Sequence, residues 1–376
     1  MTMTDTHRDL LILSRVPGIG TRRLRALVTH FGSAGAVARA PGRQLVAVEG
    51  IEQKTAALLT SFFRGSAAGA AEKFADEQLA RLAKLGGRLL TVWERDYPSL
   101  LKKIYDPPPF LFVHGTLDES DNYSLAIVGT RSPTPYGIRL TDVFAKACAT
   151  LGIPVVSGLA RGIDTAAHTA AVRGHGRTIA VIGSGLDVIY PAENKGLAER
   201  IRANGAILSE FPLGTKPDAV NFPRRNRIVS GMTLGTLVVE TGVDGGAMIT
   251  ANMAVDQGRE VFALPSPLLP GKPSGTNLLI KEGKAKLTET IDDILVELAP
   301  RLAPILPQGS TKRRAPSPDL NLFERQIVEA LGDSPVSVEA ITERTGLSPS
   351  DALVHLLSLE FKGIVKQMPG KMFLLL

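Results

Sequence analysis

The chain has 376 residues, of which 44% are hydrophobic and 21% are charged, and its formal net charge at pH 7 is +6. These values are ordinary for a soluble protein of two or three domains, and the modest positive charge is compatible with nucleic-acid binding without requiring it. The single cysteine, Cys148, excludes an internal disulfide and a cysteine-based zinc site. Because no signal-peptide pattern and no membrane-spanning run occurs, we expect a cytoplasmic protein without membrane insertion.

The first segment, residues 1–65, is predicted to be a small helical domain. It contains an internal repeat of a glycine turn followed by a helix start, in the segments Val16–Val28 and Val48–Thr60. The first copy resembles a helix-hairpin-helix motif, in which Gly18 and Gly20 let backbone amides approach a DNA phosphate. Three arginines follow this turn: Arg22, Arg23 and Arg25. The second copy carries Glu52 in place of the second glycine and is interpreted as structural. A helical bundle that does not touch DNA is the alternative for the whole segment.

Residues 66–300 are predicted to form an α/β domain that begins with a helical stretch at Ser66–Leu85. Candidate strands are Leu89–Val92, Leu111–Val113, Leu125–Val128, Val155–Ser157, Thr178–Ile182, Ala206–Ser209, Thr236–Glu240 and Val261–Leu264. Candidate helices are Gly137–Leu151, Thr165–Arg173, Glu193–Ala203 and Ala247–Gln257. Near-continuous apolar strands are typical of a parallel sheet that is covered on both faces. Their alternation with helices predicts a Rossmann-like, doubly wound, mainly parallel sheet.

Residues 301–318, rich in proline, serine and basic residues, are predicted to be a linker to a winged-helix domain at 319–376. Its predicted helices are Leu322–Leu331, Val338–Arg344 and Pro349–Phe361. A β-hairpin is predicted from Ile364–Gln367 and Met372–Leu375 around Pro369-Gly370-Lys371. Ser348 is a candidate N-cap for the third helix. That helix lacks arginine and carries Asp351 and Glu360, whereas a DNA-reading helix presents basic or amide side chains. We therefore expect a protein-contact or structural role, with DNA reading as the alternative.

The loop after the strand Leu125–Val128 has the residues of a phosphate-binding turn. In an open α/β sheet, ligands bind at the carboxyl ends of the strands, where Gly129, Thr130 and Arg131 are predicted to lie. Glycine allows a tight turn, the hydroxyl and the amides can bind an anion, and a guanidinium can pair with phosphate oxygens. The alternative is an ordinary strand-to-helix turn with a solvated Arg131.

A second candidate turn follows the strand Val155–Ser157. Its candidate phosphate-binding residues are Ser157, Gly158, Arg161 and Gly162. Asp164 is predicted to cap a helix that starts near Thr165 rather than to act as a catalytic acid. His168 is predicted to be a half-buried histidine with a hydrogen-bond partner rather than a proton shuttle.

A third candidate turn contains Gly183 and Ser184. The run begins like a dinucleotide fingerprint, but Val188 stands where the third glycine is required, so it is a weak signal for NAD or FAD. No P-loop run occurs in the sequence either. Tyr190 can lend a ring edge to a base or simply close the loop.

A basic loop, Thr215–Arg227, is the strongest sign of a nucleic acid. Its candidate contact residues are Lys216, Asn221, Phe222, Arg224, Arg225, Asn226 and Arg227. Basic side chains with an interleaved aromatic suit a single strand, because the cations neutralise the backbone and a base stacks on the ring. Alternatively, Phe222 plugs the core, and Asn226 with one arginine braces neighbouring loops. Gly245 and Gly246 begin another helix and are a further candidate phosphate contact.

In order and spacing, the motifs GTR, SGLARGID, YPAEN, NFPRRNRI and GGAMITA resemble those of the DNA processing protein A family (DprA, also called Smf). The resemblance covers Leu111–Leu287, and members of the family often carry a helical N-terminal domain and a C-terminal winged helix. It implies a non-enzymatic protein that binds and protects incoming single-stranded DNA, and we expect neither a cofactor nor a metal. It further implies loading of the RecA recombinase during natural transformation, and a homodimer. The arginine of the family's basic DNA pocket maps to Arg131.

Two other functions are alternatives to DNA binding. Phosphoribohydrolase-like enzymes on a related scaffold follow a double glycine with a catalytic glutamate, but here Glu240 precedes Gly245 and Gly246, and no glutamate follows them within the helix start. A transcriptional regulator acting through the winged helix is disfavoured by the acidic third helix. The DNA hypothesis requires that Arg131 and the arginines of the basic loop share one cleft.

Overall fold

The computed structural model describes residues 3–268, 274–305, 320–331, 335–362, 364–368, 370 and 372–375. The chain forms two compact units, Met1–Thr311 and Lys312–Leu376. In the described part, no helix combines the length and the apolar character that crossing a bilayer would require.

The first unit begins with six helices. They are α1 Met3–Leu13, α2 Thr21–Phe31, α3 Ala34–Arg39, α4 Gly42–Leu45, α5 Gln53–Arg64 and α6 Ala67–Leu85. The repeated turn is confirmed: Gly18 and Gly50 occupy the left-handed region, with φ of +76° and +79°. Arg23 connects the two turns by donating hydrogen bonds to the carbonyl oxygens of Gly18 at 2.9 Å and Gly50 at 3.0 Å. One of the three predicted DNA-contact arginines therefore braces the repeat.

Nine strands form one sheet within the described residues. They are β1 Arg88–Thr91, β2 Phe110–Gly115, β3 Leu125–Val128, β4 Val155–Ser157, β5 Thr178–Val181, β6 Gly205–Ser209, β7 Gly235–Val238, β8 Glu260–Ala263 and β9 Lys286–Leu287. Their order is β1-β2-β6-β5-β4-β3-β7-β8-β9. β2 runs antiparallel to β1 and β6, and the remaining neighbours are parallel. The chain leaves β3 in one direction through β4 to β6 and returns to its other side through β7 to β9. This arrangement confirms the doubly wound fold and places its switch point between β3 and β7.

Seven further helices complete the described part of this unit. They are α7 Pro135–Thr150, α8 Ile163–Arg173, α9 Lys195–Ala203, α10 Asn221–Gly231, α11 Gly246–Asp256, α12 Gly275–Lys281 and α13 Ile291–Leu302. Side chains of β3 alternate between two cores: Ile127 packs with Phe144 of α7, and Val128 packs with Ile228 of α10 and Ala251 of α11. Coverage of both faces explains why the strand is apolar at every position.

One element differs from the sequence prediction in kind. The predicted basic loop is wrong over residues 221–227, which belong to helix α10. Pro223 is tolerated because it lies in the first turn, where backbone N–H groups have no intrahelical partner. Ile228 and Val229 are buried against the sheet and supply the apolar face of the helix. Because several arginines surround Ile228 and Val229 in the sequence, the segment was predicted as a basic loop rather than as a helix with an apolar face.

The second unit has the winged-helix arrangement that the sequence predicts. Its described elements are α14 Leu322–Ala330, β10 Val336–Ser337, α15 Val338–Thr345, α16 Pro349–Phe361, β11 Val365–Met368 and β12 Met372–Leu375. The strands pair antiparallel in the order β10-β12-β11. Ser348 is confirmed as the N-cap of α16, since its hydroxyl accepts a hydrogen bond from the Asp351 amide at 3.2 Å. Residues 306–318 of the predicted linker, and Pro369 and Lys371 of the predicted hairpin turn, lie outside the described residues.

Candidate nucleic-acid interface

A cleft of about 710 Å³ opens at the carboxyl ends of β3, β4 and β7, at the switch point of the sheet. Predicted site residues that line it are Gly129, Thr130, Arg131, Gly158, Phe222, Arg225, Asn226, Gly245 and Gly246. Parallel strands have their carboxyl ends at the same edge of the sheet. The loops after three different strands therefore meet in one place.

The loop that carries Arg131 is held by the neighbouring strand end. The Thr130 amide donates to the carbonyl oxygen of Glu240 at 2.7 Å, and the Glu240 carboxylate accepts from the amide and hydroxyl of Thr134 at 3.0 and 2.9 Å. Gly129 is required here, because a β-carbon would overlap the Ile163 side chain and the Glu240 carbonyl. Glu240 therefore fixes the start of α7 and the path of the loop across the switch point. Arg131 itself is exposed, and its guanidinium lies 4.9 Å from the centroid of the Phe222 ring.

Arg225 forms part of the inner wall of the cleft. It is 4% exposed, and its Nη1 donates hydrogen bonds to the carbonyl oxygens of Gly158 and Val181. Burial lowers the pKa of its guanidinium to about 10, while the nearby Asp164 carboxylate acts in the opposite direction. Arg225 is therefore still a cation at neutral pH, and it places positive charge deep in the site.

Asp164 and His168 differ from their predicted positions. Helix α8 begins at Ile163 rather than near Thr165, and its N-cap, Gly162, makes no side-chain cap bond. Asp164 lies in the first turn, where its Oδ2 accepts from the Ala160 amide at 3.3 Å; it stabilises the preceding turn rather than capping the helix. Burial raises the pKa of its carboxyl. His168 is fully buried rather than half-buried, and its Nδ1 lies 2.7 Å from the Thr178 hydroxyl.

A smaller lobe of about 40 Å³ lies beside the main cleft. Of the predicted residues, Arg161, Gly183 and Ser184 line it, together with Arg131, Gly158 and Phe222, which it shares with the main cleft. Arg161 makes a two-pronged ion pair with Glu193, at 2.8 and 3.0 Å. The hydroxyl of Ser184 donates to the Val188 carbonyl at 2.6 Å. In the described structure both side chains thus have protein partners.

Six predicted residues line neither cavity: Ser157, Gly162, Lys216, Asn221, Arg224 and Arg227. Ser157 is buried and donates to the Ile127 carbonyl at 2.6 Å. Gly162, with φ of +79°, packs against the backbone of Thr130 and Arg131. It therefore supports the loop after β3 without lining the cleft. Asn221 is buried at the start of α10, and Lys216 is exposed one residue before Pro217, which lines the main cleft.

Arg224 and Arg227 face a different part of the protein from Arg225. Arg227 is buried in an ion pair with the buried carboxylate of Glu210, and its Nη1 donates to the Asp106 carbonyl oxygen at 2.7 Å. Arg224 is exposed, with its guanidinium 5.2 Å from the Phe211 ring centroid and its Nε 4.0 Å from Glu210. The condition that the arginines share one cleft with Arg131 is met by Arg225 but not by Arg224 or Arg227. In the described structure Arg227 thus has protein partners, Glu210 and Asp106.

Two threonines that line the cleft, Thr241 and Thr250, are not among the predicted site residues. Thr241 follows β7, and Thr250 lies one turn into α11, whose N-cap is Gly245. The position of Thr241 at a strand end was the signal available in the sequence. Gly246 is exposed, and a β-carbon there would meet nothing within 4 Å, so the α11 N-terminus is open to the cleft.

The flanking regions carry less of the predicted DNA chemistry. In the helix-hairpin-helix segment, Arg22 donates to the Tyr105 hydroxyl at 2.8 Å and lies 3.5 Å from Glu49. In the winged helix, α16 has no arginine or lysine and exposes three apolar side chains: Leu353, Val354 and Leu357. This surface agrees better with a protein contact than with an approach to DNA.

The α/β layer is doubly wound, with glycine turns and cations around its switch point. Helix-hairpin-helix and winged-helix segments flank it in the sequence. Together these features define a nucleic-acid-handling protein. Family models agree. The family described as DNA recombination-mediator protein A matches residues 88–299, a DprA winged-helix domain matches 311–371, and a SAM-like helix-hairpin-helix tandem matches 10–64. The chain belongs to the DNA processing protein A (DprA/Smf) family.

Relatives of known name support this membership. Protein Smf of Escherichia coli is 38% identical over 301 residues, which are 79% of this chain and 80% of that protein. DNA processing protein DprA of Streptococcus pneumoniae is 43% identical over 201 residues, 54% of this chain and 71% of that protein.

Two solved structures match as well. The S. pneumoniae DprA structure covers 79% of this chain and 98% of its own, with 31% identity and a TM-score of 0.64. A Helicobacter pylori DprA structure, described in terms of its single-stranded DNA binding mode, covers 57% of this chain and 96% of its own, with 30% identity and a TM-score of 0.51.

Proposed function

We propose that this chain binds single-stranded DNA in the cleft at the switch point and acts as a recombination mediator without catalysis. In this role it protects incoming DNA in the cytoplasm and helps to load RecA on it during natural transformation, as a homodimer. The observation that carries the proposal is the meeting of Arg131, Arg225 and the open α11 N-terminus in one cleft of about 710 Å³. The H. pylori relative, described as binding single-stranded DNA, supports the choice of ligand.

The residues of the cleft divide the work of binding a strand. Arg131 is exposed at the mouth and can pair with phosphate oxygens, and the Thr130 hydroxyl and the Gly246 amide can donate to a second anionic group. Arg225 adds positive charge from the inner wall of the cleft. Arg224 and Lys216, both exposed outside the cleft, can contact the strand as it leaves. Contacts of this kind go to the sugar–phosphate backbone, so we expect little dependence on base sequence.

The test is binding of an oligothymidylate to the full chain at several salt concentrations. The affinity should fall as salt rises, with a slope of about −0.7 per phosphate contact for single strands. Arg131→Ala should weaken binding and reduce the slope by about one contact. Arg139→Ala is the matched control, because Arg139 is an exposed arginine of α7 that does not line the cleft.

Two results would contradict the proposal. One is binding that does not respond to salt, or that responds equally to both substitutions. The other is release of free base from a nucleotide, which would favour the phosphoribohydrolase alternative. The RecA part is tested separately, by whether the chain speeds RecA assembly on a strand already coated with single-strand-binding protein; no acceleration would remove that part alone.

A further inference from the structure

Tyr105 is an exposed aromatic residue that lies outside the cleft. It is 80% exposed, while Ile104 and Pro107 on either side of it in the chain are buried and anchor the segment. The Arg22 guanidinium of α2 donates a hydrogen bond to the Tyr105 hydroxyl at 2.8 Å and lies over the ring, 5.5 Å from its centroid. The protein thus holds a cation on one face of the ring and leaves the other face to solvent.

The surface around Tyr105 is positively charged. Lys102 and Lys103 are exposed in the helical turn that precedes it, and Arg22 is exposed at the start of α2. Glu49 lies 3.5 Å from Arg22, but both side chains are largely exposed, and an ion pair of this kind is weak. Arg22 can therefore still pair with an external anion. We call the surface formed by Arg22, Lys102, Lys103 and Tyr105 the Tyr105 patch.

Helix α10 lines the cleft on one side and contacts the Tyr105 segment on another. Arg227 of α10 donates to the Asp106 carbonyl oxygen at 2.7 Å, and its Nε lies 3.3 Å from Asp106 Oδ2. Arg224, one turn before Arg227, lies on the same side of the helix and is exposed. A strand that leaves the cleft across α10 therefore meets Arg224 first and the Tyr105 patch next.

We propose, on the basis of the proposed function, that the Tyr105 patch is a second binding site for the same single strand of DNA. Arg22 and Lys102 bind its phosphates, and one of its bases stacks on the free face of the Tyr105 ring. A duplex keeps its bases stacked inside the helix and offers Tyr105 none, so the ligand is a single strand. An acidic protein segment is the competing occupant, and the continuity with the cleft through Arg224 favours DNA.

The stacking part is tested with two oligothymidylates, one of about 5 nucleotides that fills only the cleft and one of about 16 that also reaches the Tyr105 patch. Tyr105→Ala should weaken binding of the longer strand about 10-fold, within the range known for base–aromatic stacking. Binding of the shorter strand should stay within about twofold. Tyr105→Phe retains the ring and should bind the longer strand within about twofold of the unchanged protein. Because Tyr105 is exposed, the unfolding midpoint of both variants should not change.

The phosphate contact is tested by salt dependence. Arg22→Ala should reduce the salt slope for the longer strand by about 0.7, the value of one contact, and leave the slope for the shorter strand unchanged. Arg131→Ala should reduce the slope for both strands, because both occupy the cleft. Arg64→Ala is the matched control, since Arg64 is an exposed arginine of the same helical domain that ends α5 and lies outside the Tyr105 patch.

The outcomes separate this inference from the proposed function. Failure of the unchanged protein to bind either strand would remove the function itself. If Tyr105→Ala and Arg22→Ala weaken both strands equally, or neither, the second site is removed while the cleft stands. If these variants bind both strands normally but no longer speed RecA assembly, the Tyr105 patch is a protein contact and its assignment to DNA is overturned.

Discussion

The guanidinium group of Arg225 occupies the space directly over Gly158, where a β-carbon would overlap its Cζ and both Nη atoms. In the sequence, Gly158 was expected to let a phosphate approach the backbone. The structure shows that what approaches is an arginine of the protein, which binds the Gly158 carbonyl and stays close to the cleft. A glycine is needed at position 158 because a side chain would block a close approach to the backbone, but the group that approaches is Arg225 rather than a phosphate.

Gly158→Ala should therefore destabilise the protein, because the added methyl group forces Arg225 out of its site. Overpacking of this kind costs about 1–3 kcal/mol, measured as a lower midpoint in urea or thermal unfolding. Gly246→Ala is the control, since a β-carbon on Gly246 meets nothing within 4 Å. Equal midpoints for both variants would contradict the packing argument.

Arg227→Ala should lower stability rather than DNA affinity. It removes the cation paired with the buried Glu210 carboxylate, whose pKa is already raised by burial, and leaves that charge poorly compensated. Removing one partner of a buried pair costs about 3–5 kcal/mol, whereas Arg224→Ala, at an exposed position, should cost at most about 1 kcal/mol. Unfolding and the salt slope of DNA binding should be measured together. A change of slope in a folded Arg227→Ala protein would return Arg227 to the DNA site.

His168 should make stability fall with acidity. Burial lowers its pKa to about 3, so it stays neutral in the folded chain, whereas the unfolded chain takes up a proton near the ordinary value of 6.5. The unfolded state therefore binds more protons as the pH falls from about 6.5 to about 3, and stability is lost over that interval. From pH 7 to pH 5 this group should account for about 2 kcal/mol.

The measurement for His168 is the free energy of unfolding of His168→Asn against pH, compared with the unchanged protein. The difference between the two curves should shrink towards low pH, because the variant lacks the titrating group. Parallel curves for His168→Asn would show that His168 does not titrate on unfolding.

A chain that ends at Thr311 should keep its affinity for single-stranded DNA within about twofold and should keep its salt slope. The reason is that every residue lining the cleft lies in the unit Met1–Thr311, while α16 of the other unit carries acidic and exposed apolar side chains. A loss of tenfold or more would assign DNA contacts to the winged helix and revive the regulator hypothesis.

Much of the fold could be predicted from the chain because its signals are local. The apolar runs at Leu125–Val128 and Val155–Ser157 are strands with those bounds, and Ser348 caps α16 as its side-chain type predicts. Strand ends followed by glycine were enough to locate the cleft, since parallel strands bring their carboxyl ends to one edge of the sheet. The short strand β9 was missed because two residues, Lys286 and Leu287, carry no detectable alternation.

The direction of each arginine in Asn221–Gly231 could not be predicted in this way. An extended basic loop can turn several cations towards one strand, but a helix rotates by about 100° per residue, so neighbouring side chains diverge. Arg224 and Arg227, three apart, meet at Glu210, and Arg225 points to Gly158 and the cleft. The sequence by itself determined that glycine turns and cations gather at the switch point of a doubly wound sheet. Only the packing of α10 on that sheet decided which cations face the cleft and which are neutralised inside the protein, because that packing sets the rotation of the helix about its axis.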